Sequence, residues 1–575
     1  MRALVSSILG LAVIAGVSPA VAGATDSPPE DSTHRIVQPH RCFPDDFMLG
    51  TATASYQVEG AWNLTGRTPS IWDDFCRERD DVQCANVADD MFHRYPSDIQ
   101  LMKEMGLSTF RFSISWSRVM TWNDATQRMV RNDAGIAFYH QLLDAVRAAQ
   151  LKAIVTLYHW DLPSSLHTRQ GGWLNASIAS HFDSYASLMF DEFGAKVNYW
   201  STFNEPWSFC QSGYGYGSHA PGVTGSTTAS YLCAHNVLRS HATAVQTFRT
   251  KGLHSKIGIV LNCDHPFPLD PSSAADVEAA ERKMQFFLGW FLNPIVHGDY
   301  PAVMKSRAGD HLPSFTPAES ALLRGSYDLF MLNHYSSNVV TDCASSTSVT
   351  ACGDLPLGWA RDMGVDGSRF PAGARPGDVN AHGQPLCGWF NGYPTGYLPV
   401  IRWMHAFNTS APILLTENGW CGSHIVDNQD QLWYYQSYLE QVWHGIQEGL
   451  PIIGYTAWSL VDNYEWGSFE PRFGLFHVDF PSDTGSKDGY LPLPSDLKRT
   501  PRPAATWLKS LAHAMCFPAQ GDHPVQSNWV KGALYIGFLG PMFIAAMAFA
   551  ALIYRKHRRA QQATNEKTPL VSKGE

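Results

Sequence analysis

The stretch VNYWSTFNEPW, residues 197–207, decides the fold because an apolar, aromatic run ends in a carboxylate. Such a run is typical of a buried β-strand, yet Glu205 at its end is a charge that a buried strand does not hold without compensation. LLTENGW, residues 414–420, repeats the arrangement, since the apolar residues from Ile413 onward lead directly into Glu417. The chain therefore needs a fold in which the ends of separate strands meet at one polar place.

Apolar, β-rich runs recur eight times along the chain, at residues 47–55, 109–115, 152–159, 197–205, 256–263, 328–335, 412–419 and 452–462. Their near-continuous hydrophobicity is typical of parallel strands that helices cover on the outside. Helical spacing predicts amphipathic helices between them, with stripes formed by Ile136, Tyr139, Leu143 and Val146 and by Leu432, Tyr435, Leu439, Val442 and Ile446. The alternation favours an α/β fold of the (β/α)8 TIM-barrel class. A doubly wound sheet is the alternative, but no GxGxxG follows a strand.

A barrel explains the two carboxylates, because its active site lies at the carboxyl ends of the strands. Glu205 and Glu417 end the fourth and seventh runs, and Arg111 lies within the second. Polar residues also stand at or just beyond the ends of the third, sixth and eighth runs: His159, Tyr335 and Glu465. We therefore expect all of these side chains at one mouth.

Two strand-end glutamates in one pocket suit glycoside hydrolysis, in which one carboxyl donates a proton and the other attacks the sugar or activates water. Their environments must then differ, and Arg111 and Tyr335 are candidates to hold Glu417 ionised. An ordinary ion pair or helix cap is the alternative for either glutamate. A metal site is a further alternative, but no H-E-x-x-H spacing supports it, and we expect neither a metal nor a cofactor.

The two ends of the chain predict membrane attachment. Residues 1–22 have the apolar core and the A-x-A end of a signal peptide, and residues 23–41 read as a linker. Residues 532–554 lack charge over a length that crosses a bilayer, and RKHRR (555–559) follows, which predicts a type I orientation. The net charge of −10 argues against a nucleic-acid partner. We expect one domain over 42–511, a stalk over 512–531 and a cytoplasmic tail over 555–575. The domain should lie outside the cell or in a lumen, and the sequence does not determine its oligomeric state.

The cysteines and sequons fit an oxidising compartment. Of the 11 cysteines, Cys76 with Cys84 and Cys343 with Cys352 are the local pairs that we expect, and Cys42 with Cys516 is a third possibility. The odd count leaves at least one cysteine free or paired between chains. Candidate glycosylation sites stand at Asn63, Asn175 and Asn408.

Six blocks in order carry a family resemblance: FMLGTATASYQVEGAW, RFSISWSR, YHWDLP, TFNEPW, LLTENGW and DNYEWGSFEPRFGLFHVDF. Together they resemble glycoside hydrolase family 1, the β-glucosidase and lactase-like family, over residues 42–511. The resemblance implies a (β/α)8 barrel and a retaining double displacement with Glu205 as acid/base and Glu417 as nucleophile. Retention requires the two carboxyl groups to stand about 5–5.5 Å apart.

The resemblance also implies the substrate contacts. The pocket for the transferred sugar corresponds to Gln57, His159, Asn204, Trp458, Glu465 and Trp466, while Arg111 and Tyr335 correspond to the partners that orient the nucleophile. An intact Glu205 implies O-glycosides rather than thioglycosides, and Glu465 implies an unphosphorylated glucose, galactose or fucose. NHYSS (333–337) departs from the family's commoner N-Y-Y-T, and we expect His334 to alter the pocket wall.

Two other functions stay open at this point. A membrane-tethered carbohydrate-binding or receptor protein of the Klotho type has a similar barrel and anchor, but such members lose a catalytic glutamate and this chain keeps both. A transglycosidase shares every catalytic residue, so the sequence does not separate it from a hydrolase.

Overall fold

The computed structural model describes residues 41–481, 483–487 and 496–518. Its centre is a closed barrel of eight strands. In chain order, β1 to β8 span Met48–Ala52, Thr109–Ser113, Lys152–Tyr158, Tyr199–Asn204, Lys256–Asn262, Phe330–Asn333, Ile413–Glu417 and Ile452–Trp458. Each of the eight runs expected from the sequence therefore contains one barrel strand.

Every strand pairs in parallel with its neighbours along the chain, and β8 closes the barrel against β1. One helix leads into each following strand and a last one follows β8, which confirms the (β/α)8 class. These helices, α1 to α8, span Met91–Glu104, Asp133–Ala148, Ile178–Phe193, Ala229–Thr250, Pro317–Leu323, Tyr397–His405, Gln429–Gln447 and Pro503–Ala514.

Apolar side chains fill the barrel interior below the polar mouth. Met48, Ile154, Val260 and Leu414 come from the alternate strands β1, β3, β5 and β7 and form one buried cluster with Leu329 and Met331. A layer made by alternate strands is the packing expected inside a barrel of this class. The interior is therefore solid, and polar chemistry is confined to the carboxyl ends of the strands.

Further short elements decorate the barrel. Other helices span Ser55–Val58, Ile71–Glu78, Trp116–Val119, Ser164–Gln170, Pro206–Gln211, Ala274–Met284, Trp290–His297, Ala302–Ala308 and Trp359–Met363. Outer strands form a hairpin (Met120–Asn123 and Arg128–Arg131), a three-stranded sheet (His265–Pro268, Ser337–Asp342 and Val365–Arg369) and two small pairs (Arg375–Pro376 with Asn391–Gly392, and Phe476–Val478 with Arg499–Pro501).

The two helices expected from apolar spacing are present, although the buried face of one differs from the expected stripe. In α2 the four residues of the expected stripe are all buried. In α7 three residues of the expected stripe are buried, and the other two, Leu432 and Ile446, are half-buried. The buried face also includes Tyr434 and Tyr438, because tyrosine carries enough apolar surface to compete with leucine for the core.

Five disulfides link described residues, including the two expected local pairs, Cys76–Cys84 and Cys343–Cys352. Cys42–Cys516 joins the two ends of the domain across 474 residues. Cys210–Cys233 and Cys387–Cys421 were not anticipated, because the first joins two helices and the second two loops that only the fold brings together. Cys263 is free and buried.

The domain extends slightly beyond its expected end. Helix α8 continues to Ala514, and Cys516 forms a disulfide with Cys42. Residues 512–516 therefore belong to the domain and not to the expected stalk. Among the described residues no helix has the length and apolar character to cross a membrane. The expected signal peptide (1–22), most of the linker, the remaining stalk, the membrane span (532–554) and the tail (555–575) lie outside the described residues.

The three sequons differ in accessibility. Asn63 and Asn175 are exposed. Asn408 is half-buried, and its Nδ2 donates to the hydroxyl of Tyr327 at 2.9 Å. The atom to which a glycan attaches is thus occupied at Asn408.

Candidate active site

Glu417, the last residue of β7, is a buried carboxylate whose two oxygens have different partners. Nη1 of Arg111, from the middle of β2, forms an ion pair with Oε1 of Glu417. The hydroxyl of Tyr335, just beyond β6, donates to Oε2 at 2.7 Å. Glu417 is only 4% exposed, and these two groups offset the free-energy cost of burying its charge at the end of a strand.

Glycine makes room beside this carboxylate. A Cβ at Gly419 would lie 1.9 Å from the carbonyl oxygen of Trp458, so only glycine permits the chain after β7 to pass this close to the end of β8. The T-E-N-G block therefore carries a packing requirement as well as a carboxylate.

Glu205 stands at the turn from β4 into a short helix. Its backbone is left-handed, with φ of 47°, and Pro206 begins the helix, a position that proline's fixed φ favours. Asn333 at the end of β6 donates from Nδ2 to Oε1 at 2.7 Å, and Ser208 donates from Oγ to Oε2 at 2.8 Å. Both carboxyl oxygens of Glu205 are thus fixed by neutral donors and not by a cation.

One hydrogen-bond network connects the two glutamates. Arg111 donates from Nη2 to Oδ1 of Asn204 at 2.7 Å, and the same oxygen accepts from Nδ2 of Asn333 at 3.1 Å. Arg111 also holds Glu417, and Asn333 also holds Glu205, so the two carboxyl groups belong to one site.

The two carboxyl groups differ in environment. Burial, and then the nearby charge of Glu417, raise the pKa of Glu205 to about 8, although the donors Asn333 and Ser208 oppose the shift. Near neutral pH the site therefore combines a protonated Glu205 with a Glu417 that is paired to a cation. An acid and an anionic nucleophile in one pocket are the two groups that a double displacement at an acetal carbon requires.

Two polar atoms beside these carboxyls have no protein partner. His159, after β3, lies with Nε2 3.1 Å from Nδ2 of Asn204; because that amide nitrogen donates, Nδ1 of His159 carries the hydrogen. Burial lowers the pKa of His159, and Nδ1 has no partner among the described residues. Gln57 donates from Nε2 to Asn463 at 2.9 Å, while its buried Oε1 is likewise without a partner. A donor and an acceptor are thereby left for the hydroxyl groups of a ligand.

Aromatic rings and a third glutamate complete this wall. The ring of His159 is nearly parallel to those of Trp458 and Trp466, with centroids 5.8 Å away in both cases. Trp458 donates from Nε1 to Oε1 of Glu465 at 3.1 Å. Burial, above all, raises the pKa of Glu465 to about 8. The pocket therefore has both polar and apolar surfaces, as binding of a sugar ring demands.

The structure brings the sequence-based candidates together and adds others that the sequence did not single out. Arg111, His159, Asn204, Glu205, Tyr335, Glu417, Trp458, Glu465 and Trp466 are joined by the contacts above, and the side chain of Gln57 interacts with Glu465. Asn333, a polar residue at the end of β6, was missed, although the strand-end argument would have found it. Ser208 gave no sequence signal, since it lies within a helix.

The expectation for His334 was wrong. Its ring stacks on Tyr397 at 4.7 Å, and its Nδ1 lies 2.7 Å from the carbonyl oxygen of Cys263. With 1% of its surface exposed, His334 packs in the core behind β6.

One group among the described residues has the spacing of metal ligands: Asp342, Cys343 and Cys352. Its two cysteines are bonded to each other, and its aspartate pairs with Arg282 at 2.7 Å, so neither thiolate is available to a metal.

Comparison with known proteins supports this interpretation. The family model for Glycosyl hydrolase family 1 matches residues 39–516. The chain is 36% identical over 504 residues to β-glucosidase 26, peroxisomal, of Arabidopsis thaliana, which covers 81% of this chain and 84% of the relative. It is 35% identical over 586 residues to human lactase/phlorizin hydrolase, covering 92% of this chain and 28% of that longer protein.

Solved structures are similar over the same region. A rice β-glucosidase, Os3BGlu6, superimposes with a TM-score of 0.73 and 34% identity, covering 82% of this chain and 98% of the rice chain. That structure is of a glutamate-to-glutamine mutant in a covalent complex with glucose.

Proposed function

The chain belongs to glycosyl hydrolase family 1 and is an O-glycosyl hydrolase of the β-glucosidase type, and from this premise we propose that it is a retaining enzyme acting on β-glucosides or the related β-galactosides and β-fucosides. One observation carries the proposal: two buried glutamates, one held by a cation and the other by neutral donors, belong to the same network. We assign Glu417 as the nucleophile and Glu205 as the acid/base.

In the first half of the reaction, Glu417 attacks the anomeric carbon of the sugar. Arg111 and Tyr335 fix its two oxygens, so the carboxylate needs little reorganisation before it reacts. As the bond from Glu417 to carbon forms, the bond from carbon to the glycosidic oxygen breaks, and Glu205 gives its proton to that oxygen. The aglycone then leaves as a neutral alcohol.

In the second half, water replaces Glu417 on the same carbon. Once Glu417 is a neutral ester, the charge that raises the pKa of Glu205 is gone, so Glu205 becomes more acidic and can act as a base. Glu205 takes a proton from water, the new bond forms from the opposite face, and the ester bond breaks. Two inversions leave a product with the original β configuration.

The wall near Gln57 and His159 is suited to a neutral hexose. Oε1 of Gln57 and Nδ1 of His159 offer one acceptor and one donor to sugar hydroxyls. Trp458 and Trp466 offer apolar faces to C–H bonds, and Glu465 places a carboxyl group, not a cation, on this wall. These contacts support an unphosphorylated glycone.

We also propose that the domain works outside the cell or in a lumen, anchored by the C-terminal span. The five disulfides among the described residues are typical of an oxidising compartment. The exposed Asn63 and Asn175 are available for glycosylation there.

The test is hydrolysis of a panel of 4-nitrophenyl glycosides by the purified full-length chain. We expect release of 4-nitrophenol from the β-glucoside, a loss of at least about a thousandfold in Glu417→Ala, and no loss in Glu448→Gln, a surface glutamate directly after the end of α7. In Glu205→Gln, we expect mass spectrometry to find a hexose covalently attached to the peptide that contains Glu417.

Each other outcome points to a different function. A folded chain that binds sugars but cleaves none of the β-glycosides would favour a receptor or binding protein. Transfer of the sugar to an added alcohol in preference to water would favour a transglycosidase. An α-configured first product would exclude retention.

A further inference from the structure

The short helix Pro206–Gln211 carries a serine that faces the candidate acid/base. Ser208 lies three residues after Glu205, is 9% exposed, and donates from Oγ to Oε2 of Glu205 at 2.8 Å. The other oxygen, Oε1, accepts from Asn333 at 2.7 Å. Removing Ser208 would leave one of the two carboxyl oxygens without a protein partner.

Asn262, the last residue of β5, orients this serine. Its Nδ2 donates to Oγ of Ser208 at 3.0 Å. A hydroxyl group has one hydrogen, and because Asn262 occupies a lone pair of Ser208, that hydrogen remains directed to Glu205. The three side chains thus form one chain of donors that ends on the carboxyl group.

The helix that carries Ser208 is fixed on both sides. Cys210 is bonded to Cys233 on α4, and the ring of Trp207 stacks on that of Phe287 at 3.8 Å. The hydroxyl group is therefore held in place by the fold and is not a mobile surface donor.

We propose that Ser208, oriented by Asn262, is a positioning residue that fixes Oε2 of Glu205 and favours the ionised carboxylate in the second half of the reaction. This inference rests on the proposed function. Donors to a carboxylate favour its charged form, and the second half requires Glu205 as a base.

The charged and titratable groups around Glu205 explain why the second half is the sensitive one. In the free enzyme Glu417 raises the pKa of Glu205 and Arg111 lowers it, while Tyr335 and Glu465 also interact with the carboxyl group. When Glu417 has become an ester, the charge of Glu417 is lost. The hydrogen-bond donors to Glu205 then have a larger share in setting the pKa of Glu205.

The test compares Ser208→Ala with Ser208→Thr in the full-length chain. We expect Ser208→Ala to move the alkaline limb of kcat/KM upward by about one pH unit, because one donor to the carboxylate is lost. At acidic pH the ionised fraction of Glu205 in the glycosyl-enzyme then falls about tenfold, which slows the second half of the reaction. Because the glycosyl-enzyme accumulates, kcat and KM should fall together. Ser208→Thr should restore both values, and Asn262→Ala should shift the limb in the same direction.

The control is Ser240→Ala on α4, which removes another buried hydroxyl, one that bonds only the backbone of Asn236 at 2.7 Å. A Ser208→Ala profile that overlays this control, with kcat and KM unchanged, would overturn the inference. A carbon-13 titration of the Glu205 carboxyl, assigned with Glu205→Gln, needs no turnover. If no β-glycoside is cleaved, the proposed function fails, and this titration still decides whether Ser208 acts on Glu205.

Discussion

At the scale of single residues, the site depends on two glutamates with different neighbours. Arg111 and Tyr335 hold Glu417, whereas Asn333 and Ser208 hold Glu205. Burial acts on both side chains, but only Glu417 forms a direct ion pair with a cation. This difference in environment is the reason we propose Glu205 as the acid and Glu417 as the nucleophile.

The pH dependence follows from this difference. Glu205 must be protonated in the free enzyme, and its pKa is raised to about 8, so kcat/KM should fall as pH rises through about 8. Because the pKa of Glu465 is also raised to about 8, the same profile measured on Glu465→Gln separates the two groups. If the decrease in kcat/KM at alkaline pH persists in Glu465→Gln, it is due to the ionisation of Glu205. Activity that stays flat well above that pH would contradict the assignment.

At the scale of elements, the segment after β8 is held by a buried ion pair. Asp462 accepts from Nη1 and Nη2 of Arg502 at 2.7 and 2.9 Å, and from the backbone nitrogen of Gly474 at 3.0 Å. Arg502 stands directly before α8, so this pair ties the last helix of the barrel to the segment that carries Glu465.

We expect Arg502→Met to destabilise the protein strongly, since the cation that then remains beside the buried Asp462 is the more distant Arg472, at 3.7 Å. Breaking a buried pair in this way typically costs about 3–5 kcal/mol. The denaturant midpoint should fall accordingly, while Glu448→Gln, which breaks an exposed pair with Arg402, should leave it unchanged. Equal midpoints for the two variants would show that the pair contributes little.

At the scale of the whole molecule, many buried carboxyl groups have raised pKa values. Burial raises the pKa of Asp161 to about 7 and, with neighbouring charges, that of Glu205 and Glu465 to about 8. Burial also raises the pKa of Asp89 and Asp98. Between the unfolded value of about 4 and these folded values, the native state binds more protons at these carboxyl groups than the unfolded state does. Burial lowers the pKa of several histidines, which have the opposite effect below about pH 6.5.

Above about pH 7 the histidines are neutral in both the folded and the unfolded state, so the buried carboxyl groups set the pH dependence of stability there. These groups stabilise the fold below about pH 4 to 5 and lose that contribution as pH rises through about 7 to 8, so the melting temperature should fall over that range. Differential scanning calorimetry measures it, and Asp161→Asn, which stays neutral, should flatten the slope. A melting temperature that rises from about pH 7 to about pH 8 would contradict this account.

Much of the fold was predictable because its signals are local. Each of the eight strands lies within a largely apolar run, and a buried glutamate ends β7 and directly follows β4, which suits the single mouth of a barrel. The disulfides Cys76–Cys84 and Cys343–Cys352 span short loops and were predictable for the same reason. By contrast, Cys210–Cys233 joins a strand-end helix to α4, and no local pattern indicates that contact.

The sequence by itself determined the barrel, the identity of the two carboxylates and the family, because apolar periodicity and contiguous motifs are properties of neighbouring residues. The sequence already indicated Arg111 as a partner of Glu417, whereas the tertiary structure alone revealed that Asn333 and Ser208 hold Glu205. Asn333 comes from β6, far from Glu205 in the chain, and Ser208 faces the carboxyl group only because of how its short helix is placed. Proton affinity depends on distance and burial, which exist only after the barrel has closed.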